Sequence, residues 1–359
     1  MSQDTEFPGV VARPMGNFTG KADYHYQTMR CNADLLKIIQ LGITIFSDDG
    51  NSPPASISAA DLGIDSSQPE FRGLVGKFNG GMIQLPLTWQ FNFKFSLKED
   101  MYNEVAIESL KQAGVDFQRL EVEGIDPFEF GALLMSSGLV CDEDVHWISF
   151  HSAYDFGYLT KLLLRVPLPD IENDFDRFMK KFFPSIYDIK YLLKHAIRQH
   201  QTNQLTPMDE STREILVKFE QKSGLDNLAE SLKIKRQGLA HQAGSDALLT
   251  GKVFFRLRER LFNGEISDDH QSNLWGLTFP EQSTPQSNIH STPQHYNHQL
   301  QENVSPGQNG YSNGAPSTPN TGNAGLASTP GHHNNGVGMG PLTPGGAGGV
   351  FGAFQYNSK

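Results

Sequence analysis

Residues 4–9 read Asp4-Thr5-Glu6-Phe7-Pro8-Gly9, near the start of a chain of 359 residues. In an extended strand, residues i and i+2 project from the same face, so the carboxylates of Asp4 and Glu6 are expected to lie side by side. Two adjacent anions repel each other, and a divalent cation removes that repulsion. The motif alone is a weak signal, because a solvated strand end can carry the same residues.

A second acidic position follows an apolar segment in the middle of the chain. Residues 145–150 predict a short strand, which runs into Ser149-Phe150-His151-Ser152-Ala153-Tyr154-Asp155-Phe156-Gly157. A helix is predicted over residues 154–164, so Asp155 is expected in its first turn. A carboxylate at that position is also stabilised by the helix dipole without any metal ion, which leaves both interpretations open.

A third segment reads His241-Gln242-Ala243-Gly244-Ser245-Asp246-Ala247. Gly244 and Ser245 indicate the start of a helix, and the apolar residues that follow form one face of it as far as Leu261. Asp246 is therefore expected just inside the helix. Taken singly, Asp246 could again be stabilised by the helix dipole without any metal ion. A lone histidine such as His241 is more often structural than catalytic.

The three segments together favour one chemistry. A strand with Asp-x-Glu, a helix-start Asp and a late His–Asp pair occur in the order typical of the DEDD exonuclease superfamily. Hard cations prefer carboxylate oxygens, and two of them roughly 3.5–4 Å apart clamp the attacking water and the leaving oxygen. We therefore predict a 3′–5′ exonuclease in which Asp4, Glu6, Asp155 and Asp246 bind two divalent cations, Mg²⁺ or Mn²⁺. A histidine, here His241, has an ordinary pKa of about 6.5 and suits proton transfer from that water.

A closer resemblance is carried by longer motifs. Residues 4–14, 89–93, 149–158 and 241–251 resemble those of the Caf/Pop family, the deadenylase subunit of the Ccr–Not complex, in a fungal-like form. The similarity covers most of residues 4–279. It implies an α/β fold of the ribonuclease H-like type, with a mixed sheet flanked by helices. It also implies poly(A)-specific 3′–5′ exoribonuclease activity that shortens messenger RNA tails and releases 5′-AMP.

The resemblance also implies roles for the site residues. Asp4, Glu6 and Asp246 would bind one metal ion, Asp4 with Asp155 would bind the second, and His241 would lie beside the nucleophilic water. The implied partners are the 3′ end of poly(A) RNA, a Not-type scaffold subunit and a second deadenylase subunit, in cytoplasm and nucleus. Nothing in the sequence indicates a homo-oligomer.

Two other functions stay open from the sequence. One is a catalytically weak scaffold subunit of the same complex. The other is a 3′–5′ DNA exonuclease, because carboxylates that bind metal do not read a 2′-hydroxyl. The presence of all four carboxylates and of His241 favours an active enzyme over a scaffold.

Composition divides the chain near residue 280. Residues 1–279 suit one exoribonuclease domain, whereas residues 280–359 are rich in Ser, Thr, Pro, Asn, Gln and Gly and are expected to be a disordered tail. The net charge is −11, which disfavours a protein that coats nucleic acid through phosphate neutralisation and permits a pocket that grips one strand end.

Signals for export or membrane insertion are missing from the sequence. The N-terminus is polar and acidic, there is no run of 18 apolar residues, and the two cysteines, Cys31 and Cys141, have no metal-binding spacing. We therefore expect no membrane association and a reducing compartment.

Three features depart from the family pattern. Only three residues precede Asp4, so the first strand is expected to be truncated, as from a misassigned start site or a shortened isoform. A charged terminal amine would then lie within roughly 10 Å of Asp4. Insertions are expected at about 47–88 and about 195–222, both on the surface, since loops tolerate added length at a small entropic cost.

The remaining elements are predicted from periodicity and turn residues. Residues 7–12 look extended, and residues 35–46 indicate a helix end or strand running into a strand. A half-buried strand is predicted over 89–95, and helices are predicted over 103–113, 127–135, 174–183, 225–232 and 246–261.

Overall fold

A computed structural model describes residues 1–53, 56–58, 82–84, 88–202 and 209–278 of the chain. The strands are β1 (Ser2–Glu6), β2 (Gln40–Thr44), β3 (Ser56–Ser58), β4 (Met82–Gln84), β5 (Thr88–Asn92), β6 (His146–Ser149) and β7 (Ser185–Asp188). The helices are α1 (Lys21–Leu35), α2 (Glu104–Gln112), α3 (Phe117–Glu123), α4 (Pro127–Met135), α5 (Ala153–Leu164), α6 (Glu172–Phe182), α7 (Ile189–Gln201), α8 (Glu210–Gln221), α9 (Leu225–Ser231) and α10 (Ala243–Leu261).

Five strands form the main sheet in the order β5-β2-β1-β6-β7, with β1 in the centre. β1 pairs antiparallel with β2 and parallel with β6, and β7 continues the parallel side. β1 is a polar strand by composition, yet Ser2 and Gln3 are fully buried, because neighbours on both sides and helices on both faces cover it. Tertiary context therefore outweighs strand propensity here. The expected mixed sheet flanked by helices is confirmed, and its central strand carries Asp4 and Glu6.

Helices cover both faces of this sheet. The first face packs against α1, α4, α5 and α6 around buried side chains that include Trp147 and Ile186. The second face packs against α7, α8, α9 and α10 around side chains that include Ile148 and Tyr187. Successive residues of β6 and β7 thus enter opposite layers, as the two-residue period of a strand requires.

Helix α10 lies directly against β1 and β2, and a glycine permits this approach. A Cβ atom added at Gly42 would lie 1.9 Å from the carbonyl oxygen of Ala243, in the first turn of α10. Because Gly42 pairs with Asp4 across the two strands, the same face of β1 carries Asp4 and Glu6. The N-terminal turn of α10 is therefore placed over these carboxylates.

Most of the predicted elements are present, several with nearly the expected bounds. The helix predicted over 127–135 is α4, and the helix predicted over 154–164 is α5, which begins one residue earlier. Residues 7–12 adopt no regular structure. Seven described elements were not predicted: α1, α3, α7, α8, β3, β4 and β7.

The expectation that the segment at about 195–222 is a surface loop is wrong for most of its residues, whereas its added length relative to the family stays a prediction. Residues 195–201 complete α7, and residues 210–221 form α8, whose Ile215, Leu216 and Phe219 are buried in the second layer. The buried positions of α8 follow the three- and four-residue spacing of an amphipathic helix, a signal that the expectation of an insertion overlooked. Residues 203–208, much of the 47–88 segment and the tail after residue 278 lie outside the described residues.

None of the described helices is both long and apolar enough to cross a membrane.

Candidate metal centre

Three carboxylates meet at the centre of the sheet. Asp4 and Glu6 project from β1, Asp246 projects from the first turn of α10, and one oxygen of each lies within 4.8 Å of the others. Among the described residues this is the one group of three or more side chains with metal-ligating atoms at such spacing. Asp246 is buried, and Asp4 and Glu6 are half-buried, so the cluster lies in a partly desolvated position that water alone does not screen.

Asp155 reaches the site from the other face of the sheet. It lies in the first turn of α5, where one of its oxygens accepts a hydrogen bond of 3.0 Å from the backbone N–H of Thr5 and a short one from the Thr5 hydroxyl. Thr5 therefore ties Asp155 to β1 between Asp4 and Glu6. The structure brings Asp4, Glu6 and Asp246 into one group and holds Asp155 beside it, outside the 4.8 Å limit.

All four carboxyl groups have raised pKa values. Burial is the largest cause for each, and the pKa of Asp155 rises to about 7. For Asp4 and Glu6, the charges of Asp246 and Asp155 raise the pKa further. The pKa of Asp246 is raised by burial, although the adjacent Arg236 opposes the rise. Without a cation, the ionised forms of these carboxyl groups therefore reduce the stability of the folded protein.

Arg236 is a site residue that sequence reasoning missed. Its guanidinium donates a hydrogen bond of 2.5 Å from Nη1 to Oδ1 of Asp246 and lies 2.7 Å from Asp226 through Nη2. It sits in the connection between α9 and α10, where neither spacing nor periodicity gave a signal. Arg236 fixes the orientation of Asp246 and compensates part of the negative charge.

His241 lies in the turn before α10, with a left-handed backbone φ of 61°. Its backbone N–H donates a 2.9 Å hydrogen bond to Oδ2 of Asp246, so the two oxygens of Asp246 are held by different partners. The His241 side chain is half-buried. Its role beside the attacking water stays a prediction.

A buried aspartate at the end of β7 supports the start of α5. Asp188 accepts hydrogen bonds from the backbone N–H groups of His151 (3.0 Å), Ser152 (3.1 Å) and Trp275 (2.9 Å). These bonds fix the turn that leads into α5, which carries Asp155 in its first turn. Asp188 also raises the pKa of Asp155 through its charge. Sequence reasoning missed Asp188, because β7 itself was not predicted.

The residues present fit the expected divalent cations. Carboxylate oxygens are the ligands that Mg²⁺ and Mn²⁺ prefer, and several anions held close together in a desolvated position are stabilised by a cation between them. Burial is the largest cause of the raised pKa values of Asp4 and Glu6, and the nearby charges of Asp246 and Asp155 raise them further.

Comparisons with known proteins agree with this geometry. The model of the CAF1 family ribonucleases matches residues 1–128 and 137–254. The poly(A) ribonuclease pop2 of Schizosaccharomyces pombe is 40% identical over 277 residues, which cover 77% of this chain and 67% of that protein.

Two solved structures extend the comparison. The S. pombe Pop2p structure with bound Mg²⁺ and Mn²⁺ superposes with a TM-score of 0.59 at 40% identity, covering 77% of this chain and 89% of that one. CAF1 co-crystallised with the yeast NOT1 MIF4G domain gives a TM-score of 0.54 at 31% identity, over 76% of this chain and 86% of that one. With a family match over most of the domain and a central acidic cluster in the same fold, the chain belongs to the CAF1 family of ribonucleases.

Proposed function

We propose that this chain is a poly(A)-specific 3′–5′ exoribonuclease that shortens messenger RNA tails and releases 5′-AMP as a subunit of a Ccr–Not-type complex. One observation carries the proposal: Asp4, Glu6 and Asp246 converge within 4.8 Å at the centre of the sheet of a CAF1 family ribonuclease. Asp155 is held beside them by Thr5.

The side chains of the site have distinct tasks in this proposal. Asp4, Glu6 and Asp246 would hold one cation, and Asp4 with Asp155 the second. Bound cations supply the positive charge that stabilises a phosphodiester under attack by water. Thr5 and Arg236 keep Asp155 and Asp246 in place. His241 accepts the proton of the attacking water, since imidazole suits proton transfer near neutral pH.

The geometry favours an active enzyme over a catalytically weak scaffold. A scaffold has no need to keep four clustered carboxyl groups with raised pKa values. Asp4, Glu6, Asp155 and Asp246 are nevertheless all present and close to one another. A DNA exonuclease with the same carboxylates stays an alternative outcome of the experiment below.

The test is a gel assay with Mg²⁺ on a 5′-labelled RNA that ends in oligo(A), beside a DNA strand of the same sequence. We expect a ladder that shortens from the 3′ end, stalls at the first residues that are not adenosine, and disappears in the Asp155→Ala variant. Glu143→Ala, which removes an exposed carboxylate before β6, serves as the matched control and should keep full activity. Equal shortening of DNA would contradict the RNA specificity, and no shortening by folded protein would reject the proposed enzyme.

We also propose that the chain docks on a NOT1-type MIF4G domain, as the CAF1 of the yeast co-crystal does. Helix α4 supports this, because it buries Phe130 and Leu134 while Leu133 and Met135 stay 69% and 44% exposed. These two apolar side chains are therefore available for contact with such a domain.

A place in both cytoplasm and nucleus remains part of the proposal. Fluorescence microscopy of the tagged full chain in its native cell tests it, and signal confined to one compartment would reject it.

A further inference from the structure

A cavity of about 360 Å³ opens beside the metal centre. Its floor is formed by the side-chain amides of Gln40 from β2, Gln90 and Asn92 from β5, and Gln242 from the turn before α10. Its opposite wall comes from α3 and the residues around it, including Asp116 and Glu123. Neither the metal centre nor the proposed proton transfer uses these residues.

Strand register places this cavity on the catalytic face. Glu6 pairs with Gln40, and Gln40 pairs with Asn92, so these three side chains form a row across three adjacent strands. Neighbouring strands lie about 4.8 Å apart, which puts Asn92 roughly 10 Å from Glu6. That span is comparable to the reach from the phosphate of a nucleotide to the far edge of its own base.

The amides of the floor hold one another in fixed orientations. Nε2 of Gln40 donates to Oδ1 of Asn92 (2.8 Å) and to Oε1 of Gln242 (3.2 Å), and Nε2 of Gln90 donates to the same oxygen of Gln242 (2.8 Å). Nε2 of Gln242 in turn donates to the carbonyl of Ala113 (2.8 Å). The network therefore fixes Asn92 with its oxygen toward Gln40, and its amide nitrogen remains as a donor for a ligand.

The charges of the cavity select against phosphate. Asp116 and Glu123 are acceptors with negative charge, and the one cation in the lining, Arg119, lies 2.6 Å from Glu123 through Nε. An anion would therefore meet two carboxylates and a guanidinium that is already paired. A neutral heterocycle with an amino group and ring nitrogens fits better, because the carboxylates accept from the amine and an amide N–H donates to a ring nitrogen.

From these contacts we infer that the cavity is a nucleobase subsite, in which Asn92 donates to a ring nitrogen of adenine while Asp116 or Glu123 accepts from its amino group. The inference rests on the proposed ribonuclease function and identifies the residues that would give it a preference for adenosine. Uracil, which presents carbonyl oxygens and no amino group, would meet the two carboxylates unfavourably.

The experiment compares kcat/KM for two RNAs that share the same 5′ sequence and end in either an oligo(A) or an oligo(U) tail. It is done in Mg²⁺ for the full chain and its variants. Asn92→Ala should lower kcat/KM on the A tail roughly ten- to a hundredfold, as the loss of a specific base contact does, and change the U tail less than about threefold. Asn92→Asp keeps the oxygen that Gln40 needs and should show the same selective loss. Gln112→Ala, which removes an exposed amide of α2 outside the cavity, should change neither.

Equal losses on both tails, or no loss in either Asn92 variant, would overturn the inference. If Asn92→Ala melts early, Asn92→Asp and Asp116→Asn decide the question, since both keep side-chain volume. Calorimetric titration with AMP and UMP measures the subsite without turnover. A wild-type chain that binds AMP more tightly than UMP but leaves RNA intact would reject the enzyme and retain the subsite, whereas equal binding of the two would reject the subsite.

Discussion

Thr5 stands between the two acidic residues of β1, and its side chain points to the opposite face of the sheet. Through its backbone N–H and its hydroxyl, Thr5 donates two hydrogen bonds to Asp155 and holds it in place. The middle residue of an Asp-x-Glu motif thus links the two faces of the site. The Asp-x-Glu motif leaves the identity of this middle residue open, although the side chain of Thr5 positions Asp155.

Replacing Thr5 by valine tests this link at constant volume. We expect kcat/KM on oligo(A) RNA to fall roughly tenfold or more, because a hydrogen bond to a carboxylate is lost while the backbone bond remains. Thr5→Ser keeps the hydroxyl and should stay near wild type. Equal activities of the two variants would contradict the proposed positioning of Asp155.

The carboxyl cluster also predicts how stability depends on pH. The folded-state pKa values of Asp4, Glu6, Asp155 and Asp246 are raised, so the folded protein binds more protons than the unfolded chain between the ordinary carboxyl range and about pH 7. For protein treated with EDTA, the contribution of these groups to stability is therefore largest at low pH and is lost as the pH rises through about 7.

Melting temperatures measured from about pH 8 to about pH 6, with and without Mg²⁺, check this dependence. We expect the metal-free protein to gain stability as the pH falls across that range, and Mg²⁺ to raise the melting temperature most at the alkaline end. Asp155→Asn should flatten the metal-free profile. A metal-free melting temperature that falls steadily from about pH 8 to about pH 6 would contradict the expected stabilisation.

At the scale of elements, the position of α10 on the sheet decides the site. The helix brings Asp246 to β1 only because β2 has no side chain at Gly42, where its backbone lies against the first turn of α10. The first turn of α10 also donates hydrogen bonds to the sheet. The backbone N–H of Ala243 donates to Oε1 of Gln40 (3.3 Å), and that of Gly244 donates to Oε1 of Gln90 (2.9 Å). Close packing and hydrogen bonds together set the distance between Asp246 and Asp4.

Gly42→Ala should therefore damage both stability and activity. The new Cβ would overlap backbone atoms of Ala243, so either α10 moves or the sheet distorts, at a cost of roughly 1–3 kcal/mol or more for overpacking. Denaturant unfolding and the oligo(A) assay measure the two effects. Gly20→Ala, where a Cβ meets nothing within 4 Å, is the matched control and should leave both unchanged. A stable, fully active Gly42→Ala protein would contradict the role of this approach.

At the scale of the whole molecule, the candidate metal centre and the proposed docking surface on α4 are separate. The carboxylates lie at the centre of the sheet, whereas α4 belongs to the layer over the first face and exposes Leu133 and Met135 to solvent. A partner docked on α4 would leave Asp4 on β1 and Asp246 in the first turn of α10 unaltered.

Charged substitutions on α4 should separate binding from catalysis. Leu133→Glu with Met135→Lys is expected to abolish pull-down of a NOT1-type MIF4G domain and to leave shortening of oligo(A) RNA by the isolated chain within about twofold, since surface substitutions are usually near neutral for stability. Val105→Glu, an exposed apolar residue of α2, serves as the control. Binding that survives the α4 substitutions would place the docking surface elsewhere.

The sequence by itself determined the α/β class and most helices whose apolar face is continuous, such as α4, α5 and α10. It also predicted four metal-binding carboxylates, of which the structure brings Asp4, Glu6 and Asp246 into one group. Local signals sufficed for these helices, because apolar periodicity acts within a few residues. The approach of α10, the bonds of Thr5 to Asp155, the contact of Arg236 with Asp246 and the amide floor of the cavity were decided by the tertiary structure. Each of these contacts joins residues that are distant in sequence or that face opposite sides of a strand. The energy of each contact depends on packing between segments, which no single segment encodes.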